Sequence, residues 1–215
     1  MNALLRIGLV AVNELADSLR SRRVLVVMVL YMACAATGIY MFTNLLHRIE
    51  TQLAEAMMID VSKNTGSVTA ALWESKPIRG LIVKLVGDRE LAEQLFTFSP
   101  LTLFYAWLSL TFVPVLVMLT SSTRIAEEIW LGSVRFTAFR VSRLQWVIGK
   151  FLGQAAQTLG ALLLSAIAAW LMGWFRIQAF DGAATAAGML YFAFKAWIYA
   201  LAFLGLALGI SQVCS

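Results

Sequence analysis

The chain has 215 residues, of which 60% are hydrophobic and 13% charged, with a formal net charge of +5. A soluble globular domain carries roughly 25% charged and 45–50% apolar residues, and it must still cover its surface with polar groups, so a large water-soluble core is excluded. The charges cluster between long uncharged runs, which is the membrane pattern. Open sheet edges cannot be satisfied in lipid, so the fold class is all-α, a polytopic membrane helical bundle.

Residues 3–20 read as an amphipathic helix on the membrane surface. Leu5, Leu9, Val12, Ala16 and Leu19 recur at spacings of 4, 3, 4 and 3 and share one face, while Arg6, Asn13, Asp17 and Arg20 fall together on another. Such a helix sinks its apolar side to the headgroup boundary and keeps its charges wet.

The first uncharged run, Val24 to Phe42, gives a span over 24–43. Arg22-Arg23 ahead of it and Ala33-Cys34-Ala35 within it loosely mimic a cleaved signal peptide. The run stays apolar to Phe42 behind a long amphipathic leader, so a retained first helix is favoured. Residues 44–98 mix six Lys/Arg with seven Asp/Glu and read as a small helical extracytoplasmic segment. In it, Leu45, Leu46, Ile49 and Leu53 could continue the first helix, Ser62 to Gly66 is a loop signal, and Ile78, Leu81, Ile82 and Leu85 make an apolar face.

A second span over 99–123 opens with Ser99-Pro100, an N-cap with proline at the first helical position. Pro114 in mid-span removes a backbone donor and reads as a structural kink in preference to a gating hinge. Residues 124–143 follow as a short segment with Arg124, Glu127 and Glu128 at helical spacing. A Gly132 break and an amphipathic piece with Phe136, Phe139 and Arg140 come next, then the chain recaps at Ser142. A loop mixing aromatics with charges between two spans suits the docking of a soluble partner; a solvated loop whose arginines only set topology is the alternative.

The third span, 144–174, begins with Ser142-Arg143-Leu144-Gln145, a capping-box pattern. Gly149, Gly153, Ala156 and Gly160 form a small-residue stripe, and Gly205 and Gly209 in the fourth span, 183–211, form a similar pair; both patterns point to helix packing. Polar residues within the spans are few, with Gln154 and Gln157 near each other on the third and Lys195 early in the fourth, and an intramembrane ionisable residue is a functional candidate. For Lys195, snorkelling to the interface near Asp181 and Arg176 is the favoured alternative.

Orientation follows from the arginines. Arg6, Arg20, Arg22 and Arg23 precede the first span, and Arg124, Arg135, Arg140, Arg143 and Lys150 lie between the second and third. The positive-inside rule places both groups, and the N-terminus, in the cytoplasm. These charges flank spans instead of lining one face, so a nucleic-acid partner is not expected.

Catalytic signatures are missing from the sequence. Gly149-Lys150 is followed by Phe151, without the upstream glycine or the Ser/Thr of a Walker A loop, so the chain is not expected to hydrolyse ATP by itself. His47 is the single histidine, which excludes imidazole-rich metal centres within the chain. Cys34 and Cys214 lack disulfide or metal-site spacing. No cofactor is implied.

Glu127 and Glu128 in an acidic helix after the second span, then Gly132-Ser133, Arg143 and Gly149-Lys150, resemble the permease subunits of ABC-2 type transporters. The surface helix before the first span and the large segment after it are similar to that family too. The resemblance implies a separately encoded ATP-binding cassette subunit, a second permease subunit in a homo- or heterodimer, and a place in the cytoplasmic (inner or plasma) membrane of a bacterium. It implies docking through Glu127, Glu128, Gly132, Phe136, Phe139 and Arg143, with the substrate left open. A membrane scaffold or assembly protein without transport is the alternative. Such permeases commonly have six spans, and Ile210 to Ser215 stand where the fourth would leave the membrane, so the chain is expected to be the N-terminal two-thirds of one.

Overall fold

The structure, a computed structural model, describes residues 3–57, 80, 83–84, 87–122, 142–177 and 180–213. Six helices account for nearly all of them: α1 (Ala3–Arg20), α2 (Arg22–Met57), α3 (Arg89–Phe96), α4 (Pro100–Ser121), α5 (Arg143–Arg176) and α6 (Gly182–Val213). No strand occurs among the described residues. Four helices are long and apolar enough to cross a membrane: Arg22–Ile49, Pro100–Ser121, Arg143–Arg176 and Gly182–Ser211. Even the shortest, 22 residues, extends about 33 Å at 1.5 Å per residue, against a hydrocarbon core of about 30 Å. The chain is an all-α polytopic membrane protein.

Helix ends sit where side chains can satisfy the orphan backbone donors. Ser99 Oγ accepts from Thr102 N at 3.3 Å just ahead of Pro100. The capping box forms at the start of α5, where Ser142 Oγ accepts from Gln145 N and Gln145 Oε1 accepts from Ser142 N, both at 3.3 Å. Asp181 Oδ1 accepts from Ala184 N at 3.1 Å and opens α6, and Asp88 does the same for α3 through Glu90 N. Gly87 ahead of it has φ of 73°, a left-handed turn conformation that glycine adopts without strain. Helix α4 continues through Pro114 to Ser121.

The partition of side chains is inverted relative to a water-soluble protein. Small and polar residues are buried, among them Ala193, Ala196, Ala200 and Ala207 of α6 and Ser109, Ser121, Gln154 and Ser165. Large apolar ones, such as Val26, Leu30, Met41, Phe194, Ile198 and Leu206, face outward. Apolar chains of lipid neither reward burying leucine nor penalise exposing it, so close backbone approach and internal hydrogen bonds select what goes inside.

The chain divides into two compact units, one made of Met1–Ala33, Ser109–Ser165 and Ala193–Ser215, the other of Cys34–Leu108 and Ala166–Phe192. In the first, Trp197 Nε1 of α6 donates to Ala155 O of α5 at 2.8 Å, and Val113, Val117, Leu162 and Leu204 are buried. The second is rich in rings. Phe42 and Phe104 stack with centroids 4.4 Å apart, and Trp170, Trp174 and Phe180 cluster where α5 turns into α6. There Trp170 Nε1 donates to Gly182 O at 2.9 Å. Arg176 lies over the Tyr40 ring, 4.5 Å from its centroid, and donates to Asn44 Oδ1.

Glycines mark closest approach in this unit. A Cβ on Gly188 would stand 2.7 Å from Thr102 Cγ2 and 3.2 Å from Phe98, whereas one on Gly205, in the other unit, would meet nothing within 4 Å. Gly188→Leu should therefore lower stability by about 1–3 kcal/mol through overpacking, and Gly205→Leu by less than about 0.5 kcal/mol. Thermal midpoints of the two variants in detergent will separate them, and equal midpoints would contradict this packing.

Candidate functional site

Helix α1 has three sectors. Leu5, Leu9, Val12 and Leu19 are exposed along one side, with Leu9 51% and Val12 64% accessible. Asn13, Asp17 and Arg20 are exposed along a second. The third, about half a turn from the leucines, is buried and includes Glu14 and Ser18. The sequence reading identified the first two sectors and passed over the third. Glu14 does not join the wet face; it points into the protein.

Two glycines of α5 let that face come close. A Cβ on Gly149 would lie 2.6 Å from Val10 Cβ, and one on Gly153 would lie 2.8 Å from Glu14 Cβ and 2.9 Å from Ala11 O. The stripe divides at this point: Gly149 and Gly153 meet α1, whereas Ala156 is exposed and a Cβ on Gly160 or on Gly209 would meet nothing within 4 Å. Those later glycines carry no close approach among the described residues.

The space so opened is filled by a buried polar cluster. Lys150 Nζ donates to Glu14 Oε2 at 2.7 Å, with side chains only 2% and 6% accessible. Gln154 Nε2 donates to Glu14 Oε1 at 2.7 Å and to Ser18 Oγ at 3.2 Å. Ser121 Oγ, at the end of α4, donates to Gln154 Oε1 at 3.1 Å. The Lys150 ammonium also lies 5.2 Å from the Trp146 ring centroid, a cation–π distance. Both carboxylate oxygens, the ammonium and both ends of the Gln154 amide are thus engaged, which is what allows charge to sit in so apolar a setting.

Lys150 is consequently a buried partner of α1, not one of the exposed loop charges among which its sequence position placed it. Gln157, close to one turn beyond Gln154, is also buried, and its Oε1 has no hydrogen-bond partner among the described residues. Lys195 is exposed on α6. Arg143 is exposed at the first residue of α5, whereas Glu127, Glu128, Gly132, Phe136 and Phe139 lie outside the described residues. Helix α4 ends at Ser121 and α5 begins at Arg143, so the cluster grips the two helices that bracket that segment, close to where each borders it.

Glu14, Ser18 and Ser121 escaped the sequence reading. A signal for the first two was present: Glu14 and Ser18 are spaced i,i+4, as are Lys150 and Gln154 and the two glycines beside them. Two complementary pairs at one-turn spacing match when two helices lie side by side.

The cluster's chemistry is that of a tether. Its contacts join α1, α4 and α5, and no group of three or more His, Cys, Asp or Glu among the described residues could hold a metal ion.

A family model described as ABC-2 family transporter protein matches residues 9–215. Neither a curated protein nor a solved structure matches the chain.

Removing one member of the pair leaves a buried, uncompensated charge. Glu14→Ala or Lys150→Ala should each destabilise by about 3–5 kcal/mol, while Glu14→Leu combined with Lys150→Met should cost far less than the sum. Denaturation in detergent across this cycle measures the coupling, and additive losses would show that the pair does not interact.

Proposed function

Because the chain belongs to the ABC-2 transporter family, whose permeases are membrane transport components and not themselves catalytic, we propose that it is the membrane-spanning subunit of an ATP-driven transporter. It works with a separate ATP-binding cassette subunit and a second permease subunit. It lies in the cytoplasmic membrane of a bacterium with its N-terminus inside, the side that the flanking arginines favour.

Residues 124–143 are the docking element. Glu127 and Glu128 offer carboxylates to a basic cleft, and Phe136 and Phe139, on the other side of Gly132 in sequence, supply apolar anchors. The observation that carries this reading is the tethering of α4 and α5 to α1 beside that segment. A push on a segment whose two flanking helices are held reaches the spans without being absorbed by slack. Closure of the cassettes on ATP then rocks the permease between two states, moving a substrate that nothing in the chain specifies.

Two measurements test it. Ser67→Cys and Ser133→Cys, in a background lacking Cys34 and Cys214, should react with an impermeant thiol reagent from opposite sides, Ser67→Cys from outside. Glu127→Ala with Glu128→Ala, and separately Phe136→Ala with Phe139→Ala, should keep that topology. Each should weaken cassette binding at least about tenfold in pull-down from native membranes. A full complement of bound, coupled ATPase in both double variants would remove the docking role, and a wild-type chain that never brings down an ATPase would point to a non-transporting scaffold.

A further inference from the structure

We propose that α1 is a receptor for anionic phospholipid headgroups, and that Glu14 passes its seat on the bilayer to the helices that flank the docking segment. The second half rests on the transporter reading above.

The apolar stripe of α1 has no cover among the described residues: Leu5, Leu9, Val12 and Leu19 are all exposed along one line of an 18-residue helix. A helix with an apolar row on one side and a charged row a quarter turn away lies in the plane of a membrane interface. The charge beside the row selects the kind of lipid. Arg20, Arg22 and Arg23 are exposed at the junction of α1 and α2, just ahead of the buried Val24. The first helix long and apolar enough to cross a membrane starts at Arg22, so its entry into the bilayer would bring these guanidiniums to headgroup depth, with Asp17 the acidic residue nearest in sequence. Guanidinium forks bind phosphate oxygens in pairs, and juxtamembrane arginines are drawn to anionic in preference to zwitterionic surfaces.

The far side of the same helix carries the relay. Glu14 holds Lys150 and Gln154, and Gln154 holds Ser121. Helix α1 cannot shift on the membrane without carrying the first turns of α5 and the end of α4 with it, or else breaking a buried ion pair. Glu14 acts as a positioning residue: buried on the far side of α1, it fixes the end of α4 and the start of α5 to the lipid-bound helix.

The first test uses the chain alone, carried in vesicles of phosphatidylcholine mixed with phosphatidylglycerol and released for native mass spectrometry. Wild type should retain phosphatidylglycerol preferentially. Arg20→Gln, Arg22→Gln and Arg23→Gln together should lose most of that preference, and the corresponding lysine triple variant, which keeps the charge and the topology, should fall between. The second test uses the complex with its ATPase in nanodiscs. The wild-type rate should rise several-fold when phosphatidylglycerol is included, while Glu14→Leu with Lys150→Met should keep both the retained lipid and the bound ATPase but lose the response. Equal retention in wild type and glutamine variant would overturn the receptor, and a normal lipid response in the Glu14/Lys150 variant would overturn the relay. Should Leu9→Arg with Val12→Arg split a dimer and leave lipid retention unchanged, the stripe is covered by a second copy and the proposal fails. If no ATPase is captured, the transporter reading fails, while lipid retention still decides the receptor.

Discussion

A carboxylate in an apolar protein interior must be answered on both oxygens, and Glu14 is answered by an ammonium and an amide on one helix. That requirement sets much of the geometry of its unit. Two 2.7 Å bonds from residues one turn apart fix the axial register of α1 against α5. The same bonds demand that the backbones approach to a distance that only Gly149 and Gly153 permit. Gln154, its Nε2 committed to Glu14, then presents Oε1 to Ser121 and draws in the end of α4. A single buried charge thus determines which residues of three helices can face one another.

Lipid as solvent explains why such a device is used here. In water, the exposure of leucine would drive helices together without regard to register. In a bilayer that term is nearly absent, and association falls to packing of small residues and to polar contacts. The alanine stripe of α6 supplies the first, and the Glu14 cluster and the Trp197–Ala155 bond supply the second. The second unit makes the same choice with aromatic rings, using Gly173 and Gly188 to admit the Leu101 and Thr102 side chains.

The spans were legible because their signal, a run of apolar residues without charge, is a bulk property that no tertiary detail can reverse. The caps at Ser99 and Ser142 are local and equally readable because a motif marks them, whereas the Asp181 cap carries no such motif. The Glu14 cluster was not legible, because Glu14 falls in an amphipathic helix whose polar residues all invite a solvated interpretation, and its partner is 136 residues away. Lys150 was counted as a loop charge for the same reason: burial is decided by what packs against a residue, and spacing along one helix does not name the neighbour. The two central glycines of α5 announced a close approach without saying to what. The docking segment is read from its charges and rings alone.

The separation between Glu14 and Lys150 also orders events during synthesis. The Trp170 bond to Gly182 spans 12 residues and can close as soon as the α5–α6 turn has emerged. The ion pair must wait for 136 more residues after Glu14, roughly 7–27 s at translation rates of about 5–20 residues per second. Through that interval Glu14 has no lysine, and its carboxylate stays hydrated only while α1 lies at the water boundary. The apolar stripe that holds α1 on the surface therefore serves the nascent chain before it serves the finished one, parking an acidic residue where it costs little until the helix that will enclose it arrives.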